Sequence, residues 1–289
     1  MIKSWLLAFR LKTLTAALVP VLVAVALAQF LKYEISYALV ACLLVSAMSI
    51  QIATNLFNDA IDFYKGADKI RVGPVRVTQS GLIGERTVYA VAIGFCVVAL
   101  AFGIPLVLKG GWPLLAIGIS SLLLAYGYTG GPFPLAYLGL GDFFVILYFG
   151  VIAVATSFFI LTGSWNGASV WLGLQVGLLS SVLIALNNLR DRPEDAKVGK
   201  RTLAVLFGDR FVQAEICLFL LSSYVFVAVW SVMYSDFLFL LYLATFPLAV
   251  KLIKSVIGFQ TRAELIGALG KAAALHVLFG ISFVLASFI

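Results

Sequence analysis

Charge is the scarcest property of this chain. Of its 289 residues only 11% are charged and 13 are Asp or Glu, whereas 63% are apolar and the mean hydropathy is +1.09. A soluble domain could not hide that much apolar surface, so a polytopic membrane protein is the class that remains. Histidine occurs once, at His276, and cysteine at Cys42, Cys96 and Cys217. The three cysteines lie inside apolar runs and share no metal-ligand spacing, which makes them small core residues. His276 sits in the last apolar stretch and reads as a hydrogen-bonded packing residue rather than a base. No Walker-type or dinucleotide glycine pattern is present, which removes the nucleotide-binding classes. No cleavable signal pattern opens the chain; Trp5, Lys3, Arg10 and Lys12 read as an amphipathic interfacial lead into the first span. Low-complexity tracts and flexible linkers are also missing, so residues 1–289 are expected to form one domain.

Nine apolar stretches, at about 14–31, 37–57, 87–108, 112–129, 142–162, 168–189, 213–234, 236–253 and 272–289, are long enough to cross a hydrocarbon core of roughly 30 Å. The expected fold is therefore an all-α integral membrane bundle of nine transmembrane helices. Eighteen of the twenty Lys and Arg fall in the N-terminal tail or the second-to-third, sixth-to-seventh and eighth-to-ninth connections, against Lys32 and Lys109 elsewhere. That bias places the N-terminus in the cytoplasm and the C-terminus outside, in a cytoplasmic (inner) membrane protein. The net charge of +7 then follows from topology and from anionic substrates, without nucleic acid.

Two acidic clusters interrupt the apolar pattern at cytoplasmic helix ends. The first is Asn55-Leu-Phe-Asn58-Asp59-Ala-Ile-Asp62, and the second is Asn187-Asn188-Leu-Arg190-Asp191-Arg192-Pro-Glu194-Asp195. In both an Asn precedes the first Asp by four residues, and Asn55 to Asn187 and Asp59 to Asp191 are each 132 residues apart, a hint of an internal repeat. On a helix Asn55, Asp59 and Asp62 share a face, as do Asn187, Asp191 and Asp195. Pro193 is expected to bend or end the second segment, which leaves the placement of Asp195 open. Like charges stacked on one face repel unless a cation lies against them, and hard oxygen donors from two helices suit Mg²⁺ bridging to phosphate oxygens. Lys65, Asp68, Lys69, Arg71 and Arg76 follow the first motif, and Lys200, Arg201 and Thr202 the second. Such cations and flanking glycines suit phosphate binding. Pro20, Pro105 and Pro247 mark kinks or ends of spans, and Gly118, Gly150 and Gly173 are expected at close helix contacts.

The run Asn58-Asp59-x-x-Asp62-x-x-Lys65-Gly66-x-Asp68, followed by Arg71-x-Gly73-Pro74-x-Arg76-x-x-Gln79, resembles the UbiA superfamily of intramembrane prenyltransferases. Within it the pattern is similar to the 1,4-dihydroxy-2-naphthoate polyprenyltransferases of menaquinone synthesis. Asn187-Asn188-x-Arg190-Asp191-x-x-x-Asp195-x-x-x-Gly199-Lys200-x-Thr202-Leu203 resembles the same group, as do Tyr126-Gly-Tyr128-Thr-Gly-Gly-Pro132 and Gly139-Leu-Gly141-Asp142. The resemblance runs from about residue 5 to 210; one departure is Arg10-Leu11-Lys12-Thr13, where the family usually has Arg-Pro-Lys-Thr. It implies a Mg²⁺-dependent enzyme that ionises a polyprenyl diphosphate and lets an aromatic acid capture the allylic cation, with loss of carbon dioxide. By the same resemblance Asp59, Asp62, Asp191 and Asp195 hold one or two Mg²⁺, and Asn55 and Asn187 orient metal water or diphosphate oxygens. Lys65, Arg71, Arg76, Lys200 and Arg201 would take the charge growing on the leaving diphosphate. Asp68 and Asp142 are candidates for the aromatic substrate or for support behind the site. Arg10 and Lys12 either meet the acceptor carboxylate or set topology. Tyr126 and Tyr128 either flank the cation, at about 0.5–2 kcal/mol each, or belong to an interfacial belt.

Within this class the acceptor could instead be 4-hydroxybenzoate, homogentisate, haem, chlorophyllide or the dihydroxynaphthoate isomer of another menaquinone route; the Arg-x-Gly-Pro run and the second motif favour the naphthoate. A secondary transporter for an anionic solute would place ionisable residues near mid-membrane, whereas these span centres are nearly free of charge. A non-enzymatic scaffold gives no reason for stacked carboxylates. Prenyl chain length and oligomeric state leave no mark in the sequence.

Overall fold

A computed structural model describes residues 2–66, 73 and 75–288. Every regular element among them is helical. The chain begins with α1 (Ile2–Phe9), a short 3₁₀ turn and α2 (Thr15–Phe30), with a bend of 51° between the lead and α2. Then come α3 (Tyr37–Tyr64), α4 (Glu85–Gly110), α5 (Trp112–Gly127), α6 (Gly141–Thr162), α7 (Gly167–Lys197), α8 (Asp209–Tyr234), α9 (Phe237–Ile257) and α10 (Arg262–Ser287). Each predicted apolar stretch coincides with one of the helices α2 to α10. Seven of them are long and apolar enough to cross a membrane; α2 and α5, at 16 residues each, are shorter.

The helices start and stop where side chains or backbone can satisfy their ends. Asn166 accepts the amide of Ala168 at 2.8 Å to cap α7, and Thr261 with Glu264 forms a reciprocal capping box at the start of α10. Pro20 and Pro105 lie inside α2 and α4 and do not end them. Pro247 stands at the first turn of the α-helical part of α9, after nine residues wound as 3₁₀ helix, a position where its missing N–H costs nothing.

Burial sorts the helices into a centre and a rim. Of the apolar window of α7, 72% is buried, against 17% for α4. Apolar side chains such as Val97, Leu108, Leu123, Val225 and Val232 face outward, as a lipid-facing surface requires. α7 packs on α6, α8 and α10, and α3 packs chiefly on α4. The α6–α7 contact has almost no room: a Cβ on Gly150 would lie 2.4 Å from the Gly173 carbonyl oxygen, and one on Gly177 2.5 Å from that of Ile146. Residues Ile146–Ile152, the α6 side of this contact, are wound as a π-helix. Gly150 and Gly173 therefore play the expected role. Gly118 does not: nothing lies near a Cβ built there, and it lines a cavity instead.

Candidate active site

The acidic motifs end α3 and α7, and the bundle brings both ends to one cavity although the two helices scarcely touch. Its lining includes Asp62 and Asn58 from α3, Asn187, Asn188, Asp191, Glu194 and Asp195 from α7, and Arg10, Arg76, Tyr128, Thr129, Lys200 and Thr202 from the connecting segments. Four carboxylates and three cations thus share one enclosure. Asp62 lies between two of the cations, with Arg76 Nη2 at 3.2 Å and Lys200 Nζ at 3.3 Å from its Oδ2. The same ammonium stands 3.4 Å from Asp195 Oδ1, so Lys200 bridges the two motifs. Arg190, buried behind them, grips Asp191 with two bonds of 2.7 Å.

The two motifs do not use their side chains alike. All three second-motif residues, Asn187, Asp191 and Asp195, line the cavity, because α7 continues through Pro193 to Lys197 instead of ending there. Of the matching three in the first motif, Asn55, Asp59 and Asp62, only Asp62 does, with Asn58 beside it. Both Asp59 oxygens are taken by the segment after the first basic loop, from Val77 N (3.3 Å), Thr78 N (3.1 Å) and the Thr78 hydroxyl. Asp59 thereby fixes the backbone beside Arg76, and both of its oxygens are engaged by that segment. Asn55 is likewise diverted. Its Nδ2 donates to the Phe9 carbonyl and to Thr13 Oγ1, both at 3.0 Å, around the Arg10 turn. Arg10 adopts a left-handed φ of 52°, a conformation that a non-glycine residue holds only when its surroundings impose it. Asn55 is part of what imposes it, and Arg10 is held at the cavity.

Other predicted residues are distributed less simply. Lys65 turns to the Thr129 carbonyl at 2.7 Å and lies over the Tyr137 ring, 4.1 Å from its centroid. Partial burial draws its ammonium below the usual lysine value; the Asp62 carboxylate opposes that shift and the Lys200 charge adds to it. Arg201 is exposed and outside the cavity lining. Tyr126 packs edge-on against Phe57 and Tyr89, so it supports the wall without lining it. Asp142 is buried behind the site, where its backbone carbonyl accepts from Ser181. His276 is fully buried, 3.4 Å from Ser180 Oγ, as a packing histidine would be. Asp68 and Arg71 lie outside the described residues. Asn58, Thr129, Asn188, Glu194 and Thr202, which stand in the motif runs but were given no role of their own from the sequence, also line the cavity. Asn58 and Thr129 join through the Thr129 hydroxyl, and only their proximity to the motifs could have flagged them.

Tyr128 also lines a second cavity, which is almost wholly apolar. Leu43, Leu106, Leu114, Phe144, Phe149 and Ile160 are among its walls, drawn from α3 to α6, with α2 closing one side. A polar, charged chamber and an apolar one therefore meet at a single tyrosine. Such a pair suits a ligand with an ionised head and a long hydrocarbon tail.

Oxygen donors for a hard cation are present. Asp62 Oδ1 is buried without a hydrogen-bond partner, and Asp191, Glu194 and Asp195 face the same space. Among the described residues no three acidic, His or Cys side chains converge on one preformed metal position. Mg²⁺ needs no such cage, since it is commonly held by one or two carboxylates with water and substrate phosphate oxygens. The donor set fits a cation that arrives with its anion.

A helical membrane bundle with paired acidic motifs over an apolar chamber defines an intramembrane enzyme of lipid substrates. The UbiA prenyltransferase family model matches residues 17–265, and the chain belongs to that family. It is a multi-pass integral membrane protein. The chain is 32% identical over 273 residues to the 1,4-dihydroxy-2-naphthoate octaprenyltransferase of Bacillus subtilis (strain 168), covering 93% of this chain and 86% of that protein. To the enzyme of the same name from Escherichia coli (strain K12) it is 33% identical over 258 residues, 86% of this chain and 83% of that one. In fold it is similar to a UbiA homolog from Aeropyrum pernix K1, with a TM-score of 0.71 at 16% identity over 94% of this chain and 97% of that one. A UbiA homolog from Archaeoglobus fulgidus bound to GPP and Mg²⁺ superposes with a TM-score of 0.64 at 17% identity, over 97% and 99% of the two chains.

Proposed function

We propose that this chain transfers a polyprenyl group from polyprenyl diphosphate to 1,4-dihydroxy-2-naphthoate, with decarboxylation, in a Mg²⁺-dependent step of menaquinone biosynthesis. The observation that carries the reading is the junction of the polar and apolar cavities at Tyr128. The diphosphate lies in the polar chamber and the prenyl tail in the apolar one, so the carbon–oxygen bond to be broken falls beside the tyrosine. Arg10, Arg76 and Lys200 bind the diphosphate and stabilise the charge it gains as that bond breaks. Asp62, Asp191 and Asp195 are the carboxylates that would hold Mg²⁺, which supplies further neutralisation of the leaving group when bound. The apolar side chains of the second cavity would keep water from the allylic cation. The ring carbon that bears the acceptor carboxylate attacks C1 of the prenyl group; loss of carbon dioxide then restores the aromatic ring and leaves a demethylmenaquinone-type quinol.

The orientation proposed from the charge bias puts both motifs and the N-terminus on the cytoplasmic side of the inner membrane, with α2 to α10 as nine crossings. Support for the naphthoate comes from the named relatives and from the Arg-x-Gly-Pro run at 71–74. The test is to incubate detergent-solubilised protein with 1,4-dihydroxy-2-naphthoate, a polyprenyl diphosphate and Mg²⁺, and to look for the prenylated naphthoquinol by mass spectrometry. Product that disappears with a chelator supports the proposal. Prenylation of another phenolic acid in its place would leave the family and overturn the acceptor.

A further inference from the structure

Pro193 should have ended α7 before Asp195, and it does not. In an α-helix the amide of residue 193 bonds to the carbonyl of residue 189, and proline has no amide hydrogen to give. Leu189 is fully buried, so its carbonyl would be left without a partner in a place where water cannot replace one. A side chain from another helix takes the position: Arg262 Nη1 donates to the Leu189 carbonyl oxygen at 2.7 Å. The other arm of the same guanidinium, Nη2, meets Asp209 Oδ2 at 2.7 Å, and Asp209 Oδ1 accepts from Arg192 Nη1 at 2.8 Å. One planar fork at the start of α10 thus ties the end of α7 to the start of α8.

We infer that Arg262 is a positioning residue for the second acidic motif: its guanidinium substitutes for the N–H missing at Pro193 and so keeps α7 helical through to Asp195. Continuity of the helix sets Asp195 one turn beyond Asp191 on the cavity side, within 3.4 Å of Lys200. The ion pair with Asp209 by itself would do little, because its partners are 22% and 28% exposed and such pairs contribute weakly. What a lysine would not reproduce is the planar fork that holds the Leu189 carbonyl and Asp209 at the same time. The catalytic relevance of this support rests on the proposed role of Asp191 and Asp195; the structural part does not.

The test is a rescue experiment on the full chain in detergent, read first by amide hydrogen exchange without substrates. Arg262→Ala is expected to speed exchange across residues 190–197 by about tenfold, with the first half of α7 unchanged. Adding Pro193→Ala gives the helix its own donor for Leu189 and is expected to return exchange to the original rate. Asp209→Asn, which weakens only the ion pair, should accelerate exchange less than Arg262→Ala. In prenyl transfer, Arg262→Ala should raise the Mg²⁺ concentration for half-maximal rate several-fold, leave KM for the aromatic acceptor unchanged, and be reversed by Pro193→Ala. Unchanged exchange in Arg262→Ala, or acceleration that persists in the double variant, overturns the inference. Should Arg262→Ala fail to fold, recovery of folded protein on adding Pro193→Ala supports it and continued failure overturns it. Exchange that follows this pattern in a protein without prenyl transfer would sink the functional reading alone.

Discussion

The first and second acidic motifs have the same Asn–Asp spacing and put it to different uses. On α7, Asn187, Asp191 and Asp195 all face the cavity. On α3, Asn55 and Asp59 are spent on neighbouring chain: one pins the Arg10 turn and the other the segment beside Arg76, leaving Asp62 to face the site. The two helices are also secured differently. α7 is the buried centre, pressed backbone to backbone against α6 at Gly173 and Gly177, whereas α3 packs its apolar side chains on α4 and adds polar bonds to the N-terminal turn and the 76–78 segment. A repeated motif on the page thus becomes one arm that presents carboxylates and another that mostly organises the cations opposite them.

The largest expected effect tests which acids belong to the reaction. Asp62→Asn and Asp191→Asn should each lower the initial rate of prenyl transfer by about a thousandfold, the scale seen when a group facing developing charge is removed. Equal retention of activity in both would erase the contrast between facing and anchoring acids. Gly177→Ala comes next. Its Cβ would meet the Ile146 carbonyl oxygen at 2.5 Å, and forcing that helix pair apart should destabilise the protein by about 1–3 kcal/mol, seen as a lower Tm in detergent. An unchanged Tm would show that the α6–α7 contact is not what holds the second arm.

Asp59→Asn sharpens the comparison from the other side. An anchor that accepts from two backbone amides should cost about 1–3 kcal/mol of stability when its amide version presents a donor to them. Catalysis in the folded fraction should survive better than in Asp62→Asn, measured as rate per folded molecule. A loss as deep as that of Asp62→Asn, at unaltered stability, would return Asp59 to the reacting centre. The smallest effect is expected from Asn55→Ala, about 1 kcal/mol through the lost bonds to Phe9 and Thr13. Relaxation of the Arg10 turn should then appear as a raised KM for the anionic substrates with little change in kcat; a kcat defect at unchanged KM would contradict it.

Much of the architecture was legible because apolar runs of membrane length have few alternatives: a backbone in lipid must satisfy its own hydrogen bonds, and a helix does so locally. All nine apolar stretches became helices, and both acidic clusters fell at helix ends. Local periodicity also identified Asp62, Asn187 and Asp191 as cavity residues. It could not show that Asn55 bonds to the Arg10 turn and Asp59 to the 77–78 segment, because a helix face is shared by every residue on its stripe while the partner opposite each one comes from a distant segment. Asn58, Thr129 and Thr202 stood in the quoted runs without a role for the same reason; nothing in their own neighbourhood marks them as cavity residues.

Composition and period alone determined that this is a membrane bundle with two acidic helix ends, since both follow from interactions within a few turns of chain. Which carboxylates face the cavity, where Lys200 bridges the motifs, and that α7 passes Pro193 intact were decided by tertiary structure. Each of those depends on a donor or acceptor far away in sequence, such as Thr78 for Asp59, Asp62 for Lys200 and Arg262 for the Leu189 carbonyl. A buried polar group takes the partner that folding brings to it, and only the packed bundle sets which one arrives.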